Sequence, residues 1–212
     1  MFRKFVLIGC VAFTSLVSAR AEAFVFITEI LADPPAGLAG DANGDGVTSS
    51  TSDEFIELWN SSDALVDLSG WSLNDALSAR HVFASSTLLD AKKFLVVFGG
   101  GTSPLDIFWQ PASTGTLSLN NTGDTVTLYD AARQLVDQVT YGAEGGQDQA
   151  LVRLPDGSWA RSSQSSPGYF PDAPLEESAA VPEHNTLLYI SFGLCALILL
   201  NPIAYARLRL GQ

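Results

Sequence analysis

The sequence predicts an all-β domain of sandwich or barrel type, flanked by two apolar ends. Three observations lead there. Between Phe24 and Phe170, apolar or alternating runs of strand length recur, and helical periodicity is almost absent. Turn residues separate the runs: Ser69-Gly70, Gly99-Gly100-Gly101, Asn120-Asn121-Thr122-Gly123 and Pro155-Asp156-Gly157. Both cysteines, Cys10 and Cys195, lie in the ends, so the middle folds without disulfides. The expected strands are 24–31, 54–60, 71–73, 81–83, 94–98, 106–109, 125–129, 136–141 and 149–153. Short, closely spaced strands are best buried as two packed layers.

At 212 residues the chain has room for one domain and appendages. The formal net charge is -12, and the ends mask part of it. Residues 24–182 carry 6 basic and 21 acidic side chains. Such a surface repels phosphate backbones, so no nucleic-acid partner is expected. It suits divalent cations.

The ends read as addresses. Arg3 and Lys4 precede an apolar run to Ala19, followed by small-residue sites closing on Ala21 and Ala23. That is the pattern of a secretory signal peptide over residues 1–23. A lipoprotein-like Leu7-Ile8-Gly9-Cys10 is set aside, because the apolar run before Cys10 is too short and continues past it. Residues 186–206 are apolar and would make about 31 Å of helix, enough for one transmembrane span. Arg207 and Arg209 follow on what would be the cytoplasmic side. The expected arrangement is an exported domain at 24–170, a flexible linker at 171–181 and an anchor within 182–212.

Two family resemblances follow from these residues. Val181-Pro182-Glu183, then the apolar span, then a short arginine tail, resembles the PEP-CTERM sorting signal of Gram-negative bacteria, with His184 where a second proline stands in that family. The resemblance implies processing by an exosortase-type membrane enzyme and residence in the cell envelope. In the middle, Phe26–Asp33, Asp53–Leu58 with Asn60, and Leu68-Ser69-Gly70-Trp71-Ser72-Leu73 come in order. The run Leu88–Gly100, then Gly123–Asp130, Val136–Tyr141, Arg153–Gly157 and Pro167-Gly168 complete the series. Together they resemble a lamin-tail domain. The resemblance implies an immunoglobulin-like β-sandwich that serves attachment and brings no catalytic residues. Ala131-Ala132-Arg133 departs from the glycine usual in that family's turn.

Between the first two strands lies Asp41-x-Asn43-x-Asp45-Gly46, with Val47 after it. Oxygen ligands two residues apart, closed by a glycine, are how a calcium loop begins. On that scheme Asp41, Asn43 and Asp45 donate side-chain oxygens and Val47 a carbonyl. The closing position holds Ser52, so Asp53 or Glu54 must supply the last carboxylate. The competing reading is a solvated acidic loop in which Asp and Asn serve turn geometry.

Enzyme chemistry finds little support. There is no Gly-x-Ser-x-Gly elbow, and His81 is the only histidine of the domain. One histidine without cysteine excludes most zinc sites and cysteine nucleophiles. Trp59 and Trp71 are expected in the core, while Trp109 and Trp159, beside loops, are open to stacking on a sugar. The expectation is thus a non-enzymatic, membrane-tethered attachment module with a calcium loop. Its partner would be an extracellular protein or a matrix polysaccharide. A carbohydrate-binding module is the alternative, and a metal-dependent hydrolase the weaker one.

Overall fold

A computed structural model describes residues 25–170 and, for the backbone, 176–177. The signal-peptide, sorting-motif and membrane-anchor expectations lie outside the described residues. Within the described residues no helix is long and apolar enough to cross a membrane.

Strands β1 (Val25–Leu31), β2 (Phe55–Asn60), β7 (Phe94–Phe98), β8 (Trp109–Pro111), β11 (Ala150–Arg153), β12 (Trp159–Ser162) and β13 (Glu176–Glu177) build one sheet. Its order is β13-β12-β11-β1-β2-β7-β8. A second sheet, β10-β9-β4-β5, uses β4 (Ser72–Asn74), β5 (Ala79–Val82), β9 (Asp124–Tyr129) and β10 (Leu135–Tyr141). β3 (Val66–Asp67) and β6 (Leu88–Leu89) pair by themselves. All pairs are antiparallel except β7 with β8. The all-β expectation holds, and the two large sheets share one core. Ile27, Ile30, Ile56, Leu58, Leu95 and Val97 of the first sheet meet Leu73, Val126, Leu128 and Val139 of the second. Alternation is the cause. Ile56 and Leu58 point inward, so Phe55 and Glu57 point to the outer face.

Sequence alone misses β12, β13 and the β3–β6 pair. β13 falls within the stretch expected to be a linker and pairs Glu176 and Glu177 with Arg161 and Ala160 of β12.

The outer face of the first sheet is also apolar, and two chain segments cover it. Leu31, Phe55, Val96, Phe98, Ala150 and Val152 form a second cluster, packed under Leu105 and Ile107 of the β7–β8 connection and Trp109 of β8. A strap at 163–170 follows β12 and lies beside that connection. Gly168, at φ +95°, is fixed as glycine, since a Cβ there would come within 2.5 Å of the Ile107 side chain.

A bulge sets the parity of β1. Register slips between Ile27 and Glu29, with Thr28 as the extra residue. Val25 and Ile27 face the core, and unbroken alternation would put Glu29 there too. The bulge turns Glu29 outward and Ile30 inward. Beside it, the Ile27 N–H donates to Asp137 Oδ2 of the facing sheet at 2.8 Å. Asp137 in turn takes a two-pronged contact from Arg153, 2.7 and 3.2 Å, so this inter-sheet charge is paired.

Candidate cation loop and buried carboxylates

The loop after β1 is built by its own acids. A 3-10 turn at Gly37–Gly40 leads into Asp41. Asp41 Oδ2 then accepts the Gly46 N–H, Asn43 Oδ1 the Asp45 N–H and Asp45 Oδ1 the Val47 N–H, each at 2.9 Å. Such turns are the ordinary work of Asp and Asn in loops. They also fold the chain so that Asp41 Oδ1 is buried without a hydrogen-bond partner.

Asp53 closes the loop. Its side chain is inaccessible to solvent, and Oδ1 accepts the Asn43 N–H at 3.1 Å while Oδ2 accepts the Ser49 N–H at 2.7 Å. Burial pushes its pKa up; those two N–H bonds oppose this, and the charges of Asp41 and Asp45 add to it. The β7–β8 connection backs the loop. Asn43 Nδ2 donates to the Gly100 carbonyl and the Thr102 N–H to Asp45 Oδ2, each at 3.5 Å. Gly101, at φ +73°, permits the approach, because a Cβ there would lie 2.7 Å from both side chains.

Of the six residues expected around a calcium ion, Asp41, Asn43, Asp45 and Asp53 all accept backbone N–H groups of the one loop. Val47 follows on the exposed rim. Glu54 goes elsewhere. It is the last residue before β2, and its Oε2 takes the Leu119 N–H at 3.4 Å on the far side of the strand. Burial pushes its pKa up to about 7; Arg80 opposes the shift and Asp124 adds to it. Asp53 is therefore the carboxylate that the fold places at the loop. Among the described residues, no three His, Cys, Asp or Glu side chains are grouped as a metal-holding set. A cation here would have to draw on the Asn43 oxygen, a backbone carbonyl and water as well as carboxylates.

A second acidic site was not expected. Glu29 and Glu57 are cross-strand partners, each 1% exposed. Glu29 Oε1 accepts the Ser166 N–H at 2.9 Å and Oε2 the Ser166 hydroxyl. Glu57 Oε2 accepts the Gly168 N–H, and its Oε1 meets Thr28 Oγ1, both at 2.7 Å. Burial pushes Glu29 up to about 7 against its bonds to Ser166. Glu57 rises well above the usual carboxylate range, through burial first and the neighbouring Glu29 second. The pairing is hidden from sequence, because it appears only once the bulge sets the register of β1 against β2.

The remaining candidates are structural. His81 is buried, with Nε2 on Gln110 at 3.0 Å and Nδ1 accepting the Ser113 N–H at 3.2 Å. Burial pushes its pKa down. Both ring nitrogens are committed to hydrogen bonds within the domain. Trp71 is in the core as expected. Trp159, expected beside a loop, is buried under the Arg153 guanidinium, 5.2 Å from the ring. Trp59 is a correction in the other direction. It sits on the outer face, half-buried, stacked beside Phe94 at 6.3 Å, with Phe170 standing edge-on to both.

The lamin tail domain family model matches residues 18–143, more than half of the chain. No curated protein matches it. The match stops before β11 and β12, which nevertheless pair directly with β1 and with each other. The two-sheet architecture and the family model agree, and the chain belongs to the lamin tail domain family.

Proposed function

We propose that this chain is an exported attachment module of the cell envelope, non-enzymatic, with a loop ordered by calcium. Lamin tail domains are interaction modules of the immunoglobulin-like sandwich type, which supports the attachment role. The signal-like pattern at 1–23, the PEP-CTERM-like motif Val181-Pro182-Glu183 and the apolar stretch at 186–206 are the sequence features that support this localisation. The partner is an extracellular protein or matrix polysaccharide.

The observation that carries the calcium reading is the buried, unpartnered Asp41 Oδ1, within a loop whose other acidic oxygens are turned by backbone N–H groups. A dehydrated carboxylate oxygen without a donor is costly, and a cation supplies what is missing. Asp41, Asn43 and Asp45, with the Val47 carbonyl, would hold the ion. Asp53 would stand behind them, bonded to the loop backbone. With few protein ligands and water completing the shell, the dissociation constant belongs to the class of about 10⁻⁴–10⁻³ M found in extracellular modules.

Two experiments test the proposal. Thermal melts with calcium and with chelator should differ by a few degrees, and Asp41→Ala with Asp45→Ala should erase the difference; identical melts of the parent would refute the ion. Deleting residues 181–212 should release the protein from the membrane fraction, and retention would place the anchor elsewhere. A polysaccharide partner is favoured by one observation, the half-exposed ring surface of Trp59, Phe94 and Phe170. Binding to matrix polysaccharide lost in Trp59→Ala, and kept in Trp109→Ala, would assign that surface.

A further inference from the structure

We propose that Glu29 and Glu57 form a proton-operated latch that pins the strap at 163–170 to the outer face of the sheet and releases it once both carboxyls are ionised. The geometry has three parts. The β1 bulge places the two carboxyl groups directly opposite each other on adjacent strands, both closed to solvent. Like charges in that position destabilise a sheet. All four carboxyl oxygens are hydrogen-bonded, and the strap supplies most of the partners: the N–H and hydroxyl of Ser166 and the N–H of Gly168. The fourth is the Thr28 hydroxyl, which donates to Glu57 Oε1 at 2.7 Å and, being a hydroxyl, can turn to accept the proton of a protonated Glu57.

Among the described residues, the elements packed against the pair bring no basic side chain onto it. On the flanking strands, Val96 of β7 lies opposite Glu57 and Val152 of β11 opposite Glu29. Arg153, the charged residue of β11, is turned to Asp137. The covering segments contribute Asp106 and Tyr169, both exposed. The pair therefore keeps at least one proton near neutrality, and its two protons leave in coupled steps. Burial and mutual repulsion raise both groups, so the folded, latched form binds protons that the released form gives up as pH rises.

Release has a defined consequence. Phe170 ends the strap and stands on the Trp59–Phe94 pair, with centroids 5.1 and 4.9 Å away. Lifting residues 163–170 uncovers those rings. The latch thus ties an aromatic surface to ambient pH without touching the core between the sheets.

Amide hydrogen exchange on the full-length chain reads this directly, because Ser166 and Gly168 N–H are the bonds in question. After correction for intrinsic base catalysis, protection at these two amides should fall by at least about tenfold between roughly pH 5.5 and pH 8.5. Amides of β2 and β7 should keep theirs. Glu57→Gln presents a neutral side chain of the same shape and should abolish the pH response at both amides, and Glu29→Gln should do the same if the first variant fails to fold. Unchanged protection in the parent overturns the latch. So does an equal loss throughout the sheet, or a full pH response retained in a folded Gln variant.

Discussion

Two acidic regions of this domain solve the same electrostatic problem in opposite ways. The loop at Asp41–Asp53 lies at the rim of the sandwich and satisfies its carboxylates with its own backbone N–H groups, leaving one oxygen open. The Glu29–Glu57 pair lies under a strap and satisfies its oxygens with the strap's donors, leaving charge itself as the excess. A rim site can recruit a cation with its water. A sealed site without a basic partner can take only a proton. What decides between them is access to solvent, since residue type is nearly the same.

The largest effect expected is structural, at the loop's closing residue. Asp53→Ala leaves the Asn43 and Ser49 N–H groups without an acceptor and should destabilise the domain by about 2–5 kcal/mol, read by denaturant unfolding. Asp53→Asn keeps one acceptor and should cost less. Were Asp53→Ala neutral, the loop would not depend on its clamp, and the two regions would differ less than described.

Next comes pH. Glu29 and Glu54 both stand at about 7 in the folded chain, against an ordinary value of 4.5. Between those values the folded state holds protons that the unfolded chain has lost. Stability is therefore fully present below about pH 4.5 and declines toward pH 7, by up to about 1.4 kcal/mol per pH unit for each group. Denaturant midpoints should be higher at pH 5 than at pH 8, and Glu57→Gln should narrow the gap. A midpoint that rises over this range would mean that the pair is ionised in the native state.

The proposed calcium site predicts a smaller effect. At ten times a dissociation constant of the expected class, binding stabilises by about 1.4 kcal/mol, which is roughly 3–6 °C for a domain of this size. Smallest is the exposed Lys92–Asp63 pair, 3.2 Å apart at the rim. Lys92→Ala should change stability by less than about 1 kcal/mol, as surface ion pairs do.

The contrast also marks where sequence reading stops. The strands carrying Ile56 and Leu58, or Val126 and Leu128, are legible because alternation and β-branched residues survive any tertiary context. The Asp-x-Asn-x-Asp-Gly loop is legible because its chemistry is local. The Glu29–Glu57 pair is not, because it depends on a bulge at Thr28 that no glycine or proline announces. Unbroken alternation would have put Glu29 in the core. Choosing Asp53 over Glu54 needed the strand's starting point, one residue apart and on opposite faces. β12, only Trp-Ala-Arg-Ser, has too little pattern of its own and exists by pairing with β11 across the Pro155-Asp156-Gly157 turn. Trp59 and Trp159 exchanged their expected places because each depends on whether a strap or a facing sheet covers it.

The most direct test of the contrast is one set of thermal melts of the full-length chain, at about pH 6 and pH 8.5, each with calcium and with chelator. Sites this distinct should act independently: calcium raises the melting temperature by a few degrees at both pH values, and alkali lowers it with or without calcium, the two shifts adding. If calcium instead cancelled the effect of alkali, the ion would belong at Glu29 and Glu57, and the assignment of cation to the rim and proton to the sealed pair would be wrong.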